Sequence, residues 1–230
     1  MNIHGLQKMT LLDFPGHVAC TVFLGGCDFR CPFCHNFELV DGSAKPVMSE
    51  EELLQFLNKR TGLLDGVAFT GGEPLLHKDL PELMRKIREL GFGVKLDTNG
   101  YHPELLKEIL KEGLADYVAM DIKNSPEKYA ITAGVETLDL SRIEESISAL
   151  MNSNIDYEFR TTVVKEFHDA DDFHKMGEMI RGAKNYFLQA FTDRETVPFG
   201  GLSAPDADTM RSFCSIAALY VPNAELRGVE

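Results

Sequence analysis

The stretch Gly25-Gly26-Cys27-Asp28-Phe29-Arg30-Cys31-Pro32-Phe33-Cys34-His35-Asn36 decides how the rest of the chain is read. Three of the five cysteines fall within eight residues here, in the pattern C-x3-C-x2-C. The apolar run from Val18 to Leu24 precedes them and reads as a buried strand. Thiolates this close in sequence, on a loop that leaves a strand, can converge on one metal centre. Two metals compete. A structural zinc wants four closed ligands and would need His35 or a distant cysteine to complete them. An iron–sulfur cluster is held by cysteine thiolates, as a rule four of them. Three would leave one iron of a four-iron cluster without a protein ligand, open to a small molecule, which points to catalysis rather than architecture.

Outward from this loop the chain alternates between strand and helix patterns. Upstream, residues 1–17 read as a lead-in that ends in the turn-like Asp13-Phe14-Pro15-Gly16. Downstream, residues 37–48 read as irregular. Ser49 with Glu52 then forms a capping-box signature ahead of Leu53, Leu54, Phe56 and Leu57. A short apolar strand over Asp65–Thr70 runs into Gly71-Gly72. Leu80, Leu83, Met84, Ile87 and Leu90 have helical spacing, closed by Gly91. Strands follow at 93–98, 117–122, 155–164 and 185–191. Helices are marked by Pro103 with Leu105, Leu106, Ile109 and Leu110, by Ile143, Ile147 and Leu150, by Phe173, Met176, Met179 and Ile180, and by the stretch 205–219.

Six strand–helix units thus span residues 18–219, and strict alternation implies a parallel sheet with right-handed crossovers. A closed eight-unit barrel takes about 250 residues. The expectation is an α/β fold, a partial (β/α)6 TIM-like barrel left partly open, in a single domain over 1–230 with its cluster loop at 25–36.

Composition narrows the function. The net charge of −13 argues against a nucleic-acid surface. An odd cysteine count with three clustered makes a disulfide framework a poor reading and a reducing cytoplasm a better one. Cys20 and Cys214 read as small buried hydrophobes. No signal peptide is visible, and no apolar run reaches the roughly 20 residues of a membrane span.

In parallel barrels catalytic groups gather where strands end. Cys27–Cys34 follow the first strand, Gly71-Gly72-Glu73 the second, Asp97-Thr98-Asn99 end the third, and Asp121 and Lys123 end the fourth. Each has a plainer reading: a glycine turn, structural caps, a solvated lysine. Their arrival on one rim is the argument for an active site. Arg160 needs a partner if it points inward, and a carboxylate on a neighbouring strand is the reading adopted here. His4, His17, His77, His102, His168 and His174 form no ligand-spaced set. His35 reads as a donor to the cluster or its loop rather than a ligand.

The cysteine pattern with Phe33 before its last cysteine resembles the cluster motif of the radical S-adenosylmethionine (SAM) enzymes. The wider block is more specific. Leu12-Asp13-Phe14-Pro15-Gly16, Phe23-Leu24-Gly25-Gly26-Cys27 and Cys34-His35-Asn36 resemble the glycyl-radical-enzyme activating proteins. Thr70-Gly71-Gly72-Glu73-Pro74, Asp97-Thr98-Asn99-Gly100 and Asp121-Ile122-Lys123 continue the match. The likeness is best over residues 5–165, and its nearest form is the activating protein of anaerobic ribonucleoside-triphosphate reductase.

That resemblance implies a [4Fe–4S] cluster on Cys27, Cys31 and Cys34, and SAM held through Gly71, Gly72 and Glu73 at its amino group and Lys123 at its carboxylate. It puts the Phe33 backbone near adenine. It also implies a monovalent cation beside SAM, among Asp97, Thr98, the Met120 carbonyl and Asp121. Reductive SAM cleavage would then give a 5′-deoxyadenosyl radical that takes a hydrogen from a glycine of a partner enzyme. The electron would come from a donor such as flavodoxin or ferredoxin, with no catalytic residue beyond cluster and SAM. Two departures bear on the subgroup. Gln189-Ala190-Phe191 stands where pyruvate formate-lyase activating relatives place a histidine, and no cysteine-rich insertion lies between residues 35 and 49. Two rivals stand beside this reading. One is a radical SAM enzyme acting on a small molecule or peptide. The other is a zinc-stabilised binding module using Cys27, Cys31, Cys34 and His35.

Overall fold

The computed structural model describes residues 1–229. The chain opens with two strands, β1 (Asn2–Ile3) and β2 (Gly5–Thr10), followed by β3 (Ala19–Leu24), the short helix α1 (Phe37–Val40) and β4 (Met48–Ser49). Helix α2 (Glu50–Asn58) leads to β5 (Gly66–Gly71), a 3₁₀ turn at Pro74–Leu76, α3 (Leu80–Glu89), β6 (Gly93–Thr98), α4 (Pro103–Lys111) and β7 (Tyr117–Asp121). Then come α5 (Tyr129–Ala133), α6 (Leu140–Met151), β8 (Asp156–Val163), α7 (Ala170–Met179), β9 (Tyr186–Ala190), α8 (Ala207–Ala218) and β10 (Ala224–Arg227).

One sheet of eight strands runs in the order β10-β9-β8-β7-β6-β5-β3-β2. From β3 to β10 every pairing is parallel, and neighbours in space follow one another in sequence. That is the order of a barrel wound one way. The sheet keeps two edges, β2 and β10, so the barrel stays open between them.

The lead-in is more than a lead-in. β2 lies antiparallel along β3, with Gly5 opposite Phe23 and Thr10 opposite Ala19, and β1 pairs with β4 inside the stretch read as irregular. At the other edge β10 extends the sheet past the sixth expected strand. Arg227 on β10 forks onto both oxygens of the buried Glu158 at 2.8 and 2.9 Å, and Glu158 also accepts from Tyr117 Oη at 2.7 Å.

Strand alternation sorts the side chains. Val94 and Leu96 on β6 and Val118 and Met120 on β7 are fully buried in the apolar core with Leu83, Met84, Ile87, Leu106 and Ile109 of the helices. Lys95, Asp97 and Asp121 take the other face and line the barrel's interior with charge. Ser49 caps α2 in the reciprocal arrangement its sequence announces, accepting from Glu52 N at 3.2 Å while Glu52 accepts from Ser49 N at 2.8 Å. No helix among the described residues is long and apolar enough to cross a membrane.

Candidate active site

A cavity of about 260 Å³ opens at the C-terminal ends of the parallel strands. Its wall includes Cys27, Cys31, Phe33, Cys34, Gly71, Gly72, Glu73, Asp97, Thr98, Asp121 and Lys123. Residues spread over a hundred positions meet there because each follows or ends a strand of the same sheet.

Backbone contacts seat the cluster loop. Gly26 N donates to the Leu39 carbonyl at 2.7 Å, and Gly26 O accepts from Glu73 N at 2.7 Å. Gly72 packs so closely on this loop that a Cβ at its position would lie 1.9 Å from Gly26 O. The glycine pair is therefore needed for one loop to touch another as well as for any approach to a ligand.

The three thiols stand in the same wall as free cysteines. Burial pushes Cys27 up to about 12, with the Glu73 charge adding to it, and burial pushes Cys31 up to about 11 against the pull of Lys123. Cys34 is raised by burial as well. Cys31 is buried and Cys27 and Cys34 are partly so, with too little positive charge nearby to ionise them; a cluster, whose irons take one sulfur each, would bring that charge and bind them as thiolates. Cys27 Sγ already accepts from Phe29 N at 3.4 Å and from Asn99 Nδ2 at 3.7 Å. The donor set fits a cluster with three protein ligands. Cys20 is fully buried in β3, and Cys214 lies on α8 against the Ala224 carbonyl, neither in the cavity wall.

His35 is part of the cavity wall. Its Nε2 lies 2.7 Å from the Thr192 carbonyl, and its ring stacks on Phe191 at 5.7 Å, which ties the cluster loop to the loop after β9. Among the described residues no three His, Cys, Asp or Glu side chains are placed to hold a single metal ion, as the zinc module would require.

Glu73 belongs to the cavity wall and is also bonded to the protein around it. Only 1% of it is exposed, and its carboxylate accepts from Leu75 N at 3.0 Å, Thr98 Oγ1 at 2.8 Å and Asn99 N at 2.7 Å. Burial outweighs those donors and pushes its carboxyl up to about 7. Glu73 welds the end of β5 to the end of β6.

Asp97 and Asp121 come together across β6 and β7, where a monovalent cation was expected, but protein cations already serve them. Arg160 on β8 reaches Asp121 at 3.0 Å and Asp97 at 3.5 Å, Lys95 pairs with Asp97, and Lys123 lies 2.9 Å from Asp121. Thr98 spends its hydroxyl on Glu73 and on the Gly100 amide at 3.0 Å, and Met120 is buried in the core. Burial opposes the charges of Asp121, Lys123 and Arg160, yet Lys123 and Arg160 hold Asp121 down to about 2, and Asp121 carries Lys123 well above an ordinary lysine. Arg160 thus has the carboxylate partner read for it, and a second one.

Phe33 packs its buried ring onto Phe167, with centroids 6.0 Å apart, and is part of the cavity wall. Gln189 is part of the wall together with Asn99, Arg160 and Thr162. His168, 5% exposed, meets the Lys123 carbonyl through Nε2 at 2.9 Å and the Val164 amide through Nδ1 at 3.1 Å. A carbonyl can only accept, so Nε2 donates to Lys123, while Nδ1 lies 3.1 Å from both the amide and the carbonyl of Val164. His102 Nε2 stands 2.7 Å from Asp28 Oδ2, tying the loop after β6 to the cluster loop. None of these partnerships has a signature in spacing. Thr162, near the end of β8, could have been singled out as a polar residue at a strand end.

The sequence matches the protein-family model of the radical SAM superfamily over residues 21–180. It is 30% identical, over 99% of its own length and 96% of the relative's, to a Methanocaldococcus jannaschii protein named as a glycyl-radical enzyme activating enzyme. It is also 30% identical to the pyruvate formate-lyase-activating enzyme of Clostridium pasteurianum, covering 80% of this chain and 77% of that one. In structure it is similar to a radical SAM methyltransferase from Sphaerobacter thermophilus, with a TM-score of 0.73 over 95% of this chain and 68% of that one. At 16% identity, that likeness shows the fold alone. The chain belongs to the radical SAM superfamily, whose partial barrel and cysteine loop it carries. Within the superfamily it is an enzyme of the glycyl-radical-enzyme activating family, and its cofactors are a [4Fe–4S] cluster and SAM.

Proposed function

We propose that this enzyme installs a glycyl radical on an anaerobic ribonucleoside-triphosphate reductase. The observation that carries the reading is the convergence of Cys27, Cys31 and Cys34 with Gly71, Gly72 and Lys123 on one cavity, in a barrel left open between β2 and β10. Cys27, Cys31 and Cys34 hold the cluster. Lys123 meets the SAM carboxylate, its ammonium fixed beforehand by Asp121, which Arg160 holds in turn. The backbone at Gly71-Gly72, anchored through Glu73, receives the SAM amino group, and the Phe33 backbone lies along the adenine.

Cluster and SAM supply a 5′-deoxyadenosyl radical when one electron arrives from a donor such as flavodoxin or ferredoxin. The protein's work is orientation and exclusion of water. A glycine Cα of the partner enzyme would be the source of hydrogen for that chemistry. The open side suits a loop of another protein. The reductase is preferred over pyruvate formate-lyase because the wall carries Gln189 and because residues 35–49 contain no further cysteines.

Anaerobic incubation with SAM, dithionite and candidate glycyl radical enzymes tests the assignment by electron paramagnetic resonance. A protein-borne doublet on the reductase that collapses when its glycine carries deuterium is the expected result. Consumption of a small metabolite, with deoxyadenosine formed and no protein radical on any partner, overturns it in favour of a small-molecule enzyme.

A further inference from the structure

The connection between β7 and α6 is deeply anchored, although nothing in the reaction accounts for it. Asn124 is fully buried and donates through Nδ2 to Thr132 Oγ1 at 2.9 Å and to the Phe167 carbonyl at 3.0 Å. Its Oδ1 accepts from Ser125 N at 2.7 Å, and Ser125 Oγ donates to the buried Asp172 at 2.7 Å. Tyr129, 1% exposed, opens α5, and Thr132 inside it is fully buried. A short helix held this firmly can act as a rigid stop.

What it stops against is the cluster loop. Arg30 N donates to the carbonyl of Ala133, the last residue of α5, at 2.8 Å. The next residue, Gly134, turns the chain at φ +69°, and a Cβ there would lie 2.1 Å from Arg30 O and 2.5 Å from Arg30 C. Those atoms belong to the peptide unit that joins Arg30 to Cys31. A side chain at 134 has backbone in its way rather than a flexible side-chain end, so the Arg30–Cys31 peptide must move and Cys31 with it.

We infer that Gly134 is a positioning residue for the cluster, the point at which the β7–α6 connection fixes Cys31. The inference rests on the reading of Cys31 as a cluster ligand. The same connection starts at Lys123, whose carbonyl is held by His168 at 2.9 Å. One anchored segment therefore sets the separation between a cluster sulfur and the lysine that meets SAM.

Gly113 provides the control, because it too has positive φ, at +64°, but no atom stands within 4 Å of a Cβ built there. Gly113→Ala carries the backbone strain alone, and Gly134→Ala carries the strain and the contact. Both variants and the wild type are prepared full-length and reconstituted with iron and sulfide. Iron release to a chelator, the reduction potential of the cluster, and the thermal midpoint of the apo-protein are then compared.

Gly134→Ala is expected to release iron roughly tenfold faster than wild type and to shift the potential, as loss of a supporting contact around a metal does. Gly113→Ala is expected to match wild type in both while losing some apo-protein stability. Thr132→Val adds no Cβ contact but cuts the Asn124 bond, so it should move both readouts the same way by less, and it decides the matter if Gly134→Ala does not fold. Cluster properties of Gly134→Ala, or of Thr132→Val in that event, equal to those of Gly113→Ala overturn the inference. Retention of the full cluster by Cys31→Ala would instead overturn the ligand reading beneath it.

Discussion

Glu73 Oε2 accepts a hydrogen bond from the Asn99 backbone amide at 2.7 Å, and this bond joins the ends of two strands that carry different parts of the site. With Leu75 N and Thr98 Oγ1 on its other oxygen, the carboxylate organises both the Gly71-Gly72 turn and the Thr98–Gly100 turn. Glu73→Ala leaves three buried donors without an acceptor, each costing about 1–3 kcal/mol. The thermal midpoint of the apo-protein should therefore fall together with SAM affinity measured by calorimetry. A loss of affinity with unchanged apo-protein stability would return Glu73 to the role of direct ammonium partner.

The cysteines divide by position. Cys27, Cys31 and Cys34 share the cavity wall, whereas Cys20 and Cys214 sit elsewhere in the fold. Alanine at any of the first three should abolish SAM cleavage and lower the iron and sulfide retained after anaerobic reconstitution. Cys20→Ala should keep its iron and lose only packing. Cys214→Ala should match wild type. Loss of cluster in either of these two would mean the ligand set is wrong.

The sequence made the parallel core legible for a physical reason. Strands covered on both faces read as apolar runs, and each helix between them has enough turns to show a period. The two edge strands lack such signals. β2 (GLQKMT) exposes Gln7, Lys8 and Met9 in a row, and β10 (AELR) is too short to show alternation. In the site, motif positions could be read because strand ends converge. Side-chain partners could not. A glutamate after two glycines gives no sign in sequence that, like Glu73, it accepts from three protein donors on two strand ends. His168 reads as one loop histidine among several until Lys123 folds back beside it.

His168 gives a pH dependence. Burial holds its imidazole below the ordinary 6.5, against the raising effect of its bonds to Lys123 and Val164 and of the nearby Asp172 charge. The native state therefore prefers the neutral ring, and protons favour the unfolded chain. Its contribution to stability is complete above about pH 6.5 and declines as the pH falls below that value. Urea unfolding of apo-protein at pH 7 and pH 5 should show the gap between wild type and His168→Gln narrowing at the lower pH. A gap that stays constant would mean His168 is not held neutral.

Arg160 bridges Asp121 at 3.0 Å and Asp97 at 3.5 Å, while Lys123 shares Asp121 from the other side at 2.9 Å. Lys123 donates to Asp121 and keeps further N–H groups for the carboxylate of SAM, and Arg160 is the cation that keeps Asp121 compensated as the ammonium is shared. Lysine cannot span two carboxylates with a planar fork, so Arg160→Lys is not a conservative change here. A charged hydrogen bond in such a site contributes about 1.5–3 kcal/mol, which corresponds to roughly ten- to a hundredfold in SAM affinity. Arg160→Lys should weaken SAM binding toward that range with the cluster intact, and Lys123→Met should weaken it by at least as much. Because both act through Asp121, the double variant should lose less than the sum of the two. Additive losses by calorimetry would show that Arg160 holds the strands together without serving Lys123.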